Sequence, residues 1–206
     1  MSKSLLFLGS AAGATGCAGA AGLVYWKSTS PEGTSLKDRF NKEIKGRVLL
    51  DTDGNSHDAV WDALVSEYTA ENVKVPLIKG LSKEGLDKAR LKARCKEEAK
   101  LTEEDRFNSY VGWCSRNTLK TQFNEEVTGK TWNDSKVTGD WTAKKSSYAE
   151  DSNSSLQVPS ANGSGTINKT SVTEQNIMDW CSSKTDSPFV NGNDADYKRT
   201  EALCTK

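Results

Sequence analysis

The sequence is poor in the residues that carry most solution chemistry. It has a single histidine, His57, and no CxxC pair, so a zinc-type ligand set has too few donors. Beyond residue 27 it has no glycine-rich phosphate loop, and no nucleophile motif accompanies His57 and Asp58. No catalytic residue, cofactor or metal is therefore expected. An excess of charge of either sign is also missing. Lys and Arg total 28, as do Asp and Glu. That balance argues against nucleic acid as a partner, which calls for a basic stripe, and against a polybasic lipid-binding surface. Apolar residues make up only 35% of the chain and mean hydropathy is −0.66, so the core has to be modest.

Much of the apolar content lies at the start. SLLFLGSAAGATGCAGAAGLVYW, residues 4–26, runs uncharged between Lys3 and Lys27. As a helix it would be about 35 Å long, enough for a hydrocarbon core of about 30 Å. Three readings fit residues 1–27. One is a single membrane-spanning helix ending on Tyr25-Trp26-Lys27, residues that favour the headgroup level. The second is a cleaved signal peptide with Ala18-Gly19-Ala20 as its site. The third is a lipoprotein signal, with Ala14-Thr15-Gly16-Cys17 as a lipobox and Cys17 lipidated. Each places residues 28–206 at a membrane. The very short N-terminus and the cysteines favour an extracellular C-terminal region.

That region repeats itself. LKDRFNKEIKGR, residues 36–47, returns as LKTQFNEEVTGK, residues 119–130. Five positions after each glycine stands an aspartate, Asp51 and Asp134, and both copies then carry Trp-x6-Tyr, Trp61 to Tyr68 and Trp141 to Tyr148. The units, about 36–68 and 119–148, each read as helix–turn–helix. Leu36, Phe40 and Ile44 form one apolar face, matched by Leu119, Phe123 and Val127. Gly46 and Gly129 end the first helices. Ser56 and Asp140 are expected to cap the second. Trp61, Tyr68, Trp113, Trp141, Tyr148 and Trp180 are read as core anchors.

Cys95, Cys114, Cys181 and Cys204 form an even set. Two share a context, Trp113-Cys114-Ser115 and Trp180-Cys181-Ser182. A helix over residues 82–100 and another capped at Thr102 would bring Cys95 to Cys114, and a similar hairpin would bring Cys181 to Cys204. Bridges Cys95–Cys114 and Cys181–Cys204 are expected, each worth about 3 kcal/mol through loop closure. DTDGNSHDAVWD, residues 51–62, imitates a calcium loop with Asp51, Asp53, Asn55 and Asp62. Its glycine is misplaced and its last acid is short, so a turn followed by a helix start is the better reading. Residues 149–171, rich in Ser and Asn, read as a flexible exposed loop.

Taken together, the MSKSLLFLGSAAGATG start, the twice-used LKxxFNxE[IV]xG[RK] with Trp-x6-Tyr, YVGWCS and DWCSSKTDSPFVNGNDADYKRTEALC resemble a large paralogous family. Its members are uncharacterised (hypothetical) membrane and surface proteins of haemotropic mycoplasmas. The resemblance spans nearly the whole chain. It implies membrane anchoring, surface exposure and contact with host cells or antibody, and it transfers no catalytic residue. The expectation is thus a mainly α protein: a membrane anchor followed by a disulfide-stapled helical region built on a duplicated unit, non-enzymatic and displayed at the cell surface. A scaffold module on the cytoplasmic leaflet and an enzyme of unknown class are the alternatives.

Overall fold

The computed structural model describes residues 33–150, 156–160 and 165–206, and over these the chain is mainly helical. The anchor or signal segment, Cys17 included, lies outside the described residues. Among the described residues no helix is long and apolar enough to cross a membrane.

The first half runs α1 (Leu36–Glu43), β1 (Arg47–Leu49), α2 (Asp58–Thr69), α3 (Lys88–Glu98), α4 (Phe107–Cys114) and β2 (Ser115–Asn117). The second runs α5 (Leu119–Thr121), which widens into a π turn over Gln122–Glu126, then α6 (Thr142–Glu150), α7 (Glu174–Lys184) and α8 (Ala195–Cys204). Each half has its own apolar core. Phe40, Trp61, Leu64, Leu91 and Trp113 centre the first, and Phe123, Trp141, Ile177 and Leu203 the second.

The duplication is longer than the sequence discloses. The opening amides of each unit find matching acceptors: Leu36 and Lys37 donate to Leu101 O and Ala99 O at 2.7 and 3.2 Å, and Leu119 and Lys120 donate to Ser187 O and Thr185 O at 2.8 and 3.4 Å. Gly46 and Gly129 follow with φ of +70° and +76°, a left-handed turn that only glycine enters without strain. Next, the Leu50 amide meets Cys114 O at 3.0 Å, and the Asn133 amide meets Cys204 O at 2.8 Å. The Tyr68 hydroxyl accepts from the Ile78 amide ten residues on at 3.1 Å, and the Tyr148 hydroxyl from the Val158 amide, also ten residues on, at 3.0 Å. Leu91 and Cys95 of α3 correspond to Ile177 and Cys181 of α7, and Phe107 and Cys114 of α4 to Tyr197 and Cys204 of α8. Two whole units, 35–114 and 118–204, stand in tandem.

This frame corrects several sequence expectations. Gly46 lies beyond the helix end, because α1 already stops at Glu43 with Ile44 extended and buried. Val127 is half-buried rather than buried. Ser56 donates to Asp51 Oδ2 and leaves the cap position of α2 to His57, while Asp140 falls inside a 3-10 turn, Thr138–Trp141, and accepts from Ser135. The helix expected over 82–100 starts only after its cap Asp87. Thr102 does not cap α4, which follows a 3-10 turn, Glu104–Arg106. The Ser/Asn-rich stretch is partly built in: Val158 is a core residue, and Ile167, packed on the same core, donates to Val158 O.

The short antiparallel β1–β2 pair closes the first unit, with Val48 opposite Arg116. Thr118 then leads straight into the second. The Phe189 amide donates to Asn117 O at 2.9 Å, and Val190 packs on the first core, so the two units touch around this joint.

Candidate functional site

Both expected disulfides are formed, Cys95–Cys114 and Cys181–Cys204, each with Cα atoms 5.5 Å apart. Each staples the last two helices of its unit. The six aromatic anchors are all buried. Three indole N–H groups are answered by main-chain carbonyls: Trp61 by Asp51, Trp113 by Pro76 and Trp141 by Ser135. Trp113 also meets Tyr68 edge-on at 4.6 Å. Trp180 carries Arg199 and Lys184 over its ring at 5.6 and 5.9 Å.

The acids of the calcium-like stretch have other occupations. Asp51 Oδ1 accepts the amides of Asp53 and Gly54, both at 3.0 Å. These hydrogen bonds, with the Ser56 hydroxyl, hold its carboxyl at about 2, below the ordinary 3.8. Asp53 pairs with Lys96, Asp58 with Lys92 and Lys88, and Asp62 with Lys88. One lysine row of α3, spaced a turn apart, thus answers the acids of the turn and of α2. His57 Nδ1 accepts the Asp51 amide at 2.8 Å, which puts its proton on Nε2 and uses the ring to hold the turn. No group of three or more His, Cys, Asp or Glu suited to a metal occurs among the described residues.

Charged residues that the sequence does not single out carry much of the interior. Glu98 is fully buried, and its Oε1 takes Arg94 and Arg106, each at 2.7 Å. Arg47 spans the sheet to Ser115, Asn117 and Val111, and burial, aided by neighbouring Arg116, lowers its pKa to about 10. Neither stands out in the sequence: Glu98 lies in the charge-rich run KARLKARCKEEAK, and Arg47 at the edge of a short apolar stretch, as exposed charges would.

A cleft of about 740 Å³ opens on the first unit. Its walls are the start of α1, the chain leaving β1 over residues 49–53, and the end of α3. Tyr110 and the Cys95–Cys114 bridge lie against its base. Burial, reinforced by Asp38, pushes the Tyr110 phenol above its ordinary range. Asp38 is engaged with the Ser35 hydroxyl at the cap of α1, and the Asp51 carboxylate is filled by its turn. The lining thus sets three lysines, Lys37, Lys96 and Lys100, against three aspartates, Asp38, Asp51 and Asp53, beside the apolar Leu49 and Ala99.

No family model, curated protein or solved structure matches this chain.

Proposed function

We propose that this is a non-enzymatic surface protein, held at a membrane by its N-terminal segment with the two-unit helical region outside the cell. The observation that carries the reading is the pair of buried disulfides, one per unit. Disulfides persist in oxidising surroundings and are rare where thiol systems keep cysteines reduced. They suit a chain whose apolar content leaves little for two separate cores. The uncharged 23-residue start and the mycoplasma-family resemblance support the same address, and the role proposed with it is contact with host cells or variation as an antigen.

Protease added to intact cells should remove the helical region from outside, and non-reducing mass spectrometry should find Cys95–Cys114 and Cys181–Cys204 intact. Complete protection of residues 28–206 together with four free thiols would replace this reading with a scaffold on the cytoplasmic leaflet.

A further inference from the structure

Three asparagines fold back on their own main chain in the same way. The Oδ1 atoms of Asn133, Asn168 and Asn191 each accept the amide two residues on, at 3.2, 2.9 and 2.8 Å. Such a hydrogen bond polarises the side-chain carbonyl and holds its carbon near the peptide nitrogen of the next residue. The next residue then decides whether carbon and nitrogen can react, because a side chain on it hinders the approach. Asn133 is buried and precedes Asp134. Asn168 is exposed but precedes Lys169. Asn191 is exposed and precedes Gly192, which is exposed too.

Nothing at Gly192 stands in the way. Its amide donates no hydrogen bond among the described residues, so water can take its proton. A Cβ built on it meets no atom within 4 Å, and its backbone is outside the left-handed region. The surroundings give the position consequence. Just before it, the Phe189 amide donates to Asn117 O and Val190 packs on the first core. Just after it, the Asp194 amide donates to Asn191 O at 3.2 Å, and Asp194 caps α8 by accepting from the Tyr197 amide at 2.9 Å. Asn191 thus links the joint between the units to the helix that carries Cys204.

We propose that Asn191–Gly192 is a self-modification site, at which the chain deamidates and re-routes its own backbone. The deprotonated Gly192 nitrogen attacks Asn191 Cγ, a step favoured by the proximity of the two atoms. The Cγ–Nδ2 bond breaks and the nitrogen leaves as ammonia, taking up the proton. Water then opens the five-membered imide at either carbonyl. One opening gives aspartate, and the other gives isoaspartate, whose main chain runs through the side-chain carbon. Both products carry a new negative charge, and the second adds a methylene to the main chain between Val190 and Asp194. The Asn191–Asp194 turn and the seating of Val190 are what this change loosens. The proposal does not depend on which side of the membrane the helical region faces.

The test ages the oxidised full-length chain, in mild detergent, in warm and mildly alkaline buffer. Peptide mapping by mass spectrometry follows each asparagine, with electron-transfer fragmentation to separate isoaspartate from aspartate. Asn191 should convert at least tenfold faster than Asn168, which makes the same hydrogen bond but precedes a lysine. The NMR amide signals from Phe189 to Tyr197 should move as it converts. Gly192→Ala has room for its methyl group, so it should keep the fold and slow conversion at least tenfold. The amide spectrum of the fresh variant checks that fold. Asn162–Gly163, the other such pair in the sequence, lies outside the described residues and is mapped separately. Three results would overturn the proposal: conversion of Asn191 no faster than that of Asn168, conversion at the wild-type rate in Gly192→Ala, or a converted chain whose amides from Phe189 to Tyr197 have not moved.

Discussion

The hydroxyl oxygens of Tyr68 and Tyr148 show how single atoms hold each unit together. Each receives a buried main-chain amide from the segment that follows, and each returns its own proton to a carbonyl, Leu81 O at 3.2 Å and Ile167 O at 2.6 Å. Tyr68→Phe keeps the ring in place but strands the Ile78 N–H, and Tyr148→Phe does the same to that of Val158. Each substitution should cost about 1–3 kcal/mol in denaturant unfolding, with helix content unchanged. Asp51 gives a pH signature. Its carboxyl is held at about 2 in the folded chain, below the ordinary 3.8. Its contribution is thus fully present above the unfolded value and is lost as pH falls through about 2. Carboxyl NMR should titrate it near 2, and Asp51→Asn, which keeps an acceptor oxygen, should flatten that part of the acid limb.

At the scale of elements, the two glycine turns form a controlled pair. Both have positive φ, so alanine at either position should cost about 1 kcal/mol or more. At Gly129 an added methyl meets open space, while at Gly46 it would run into Thr121 Oγ1 at the joint between units. Gly46→Ala should therefore be the more damaging of the two in urea midpoint, and pairing it with Thr121→Ala should recover part of the difference. A simple backbone propensity effect would make the two equal. The glycine positions were legible in the sequence through the repeat. The strand pair β1–β2 was not, because three residues on each side give no alternation to read, and Arg47, Arg116 and Ser115 look like surface residues until they are placed.

Across the whole molecule, two cores and two staples imply two partly independent units joined at Thr118. Trp61→Ala should cost about 3–5 kcal/mol in its own unit. Hydrogen exchange on the variant should show protection lost across residues 36–117 and largely kept in α7 and α8. Uniform loss along the chain would mean that the joint couples the units into one cooperative block.

What the sequence by itself determined is the content of each unit: mainly helix, aromatics at the core, cysteines paired by spacing, and the repeated opening phrase. Those are local properties, and periodicity and residue type report them directly. The tertiary structure alone decided that the repeat extends to both disulfide hairpins, because hydrogen-bond positions are preserved there while side chains have diverged. It also decided that Asp51 is engaged by its own turn while its counterpart Asp134 pairs with Lys120 at 2.7 Å. Which of the two an aspartate does depends on which groups meet in space.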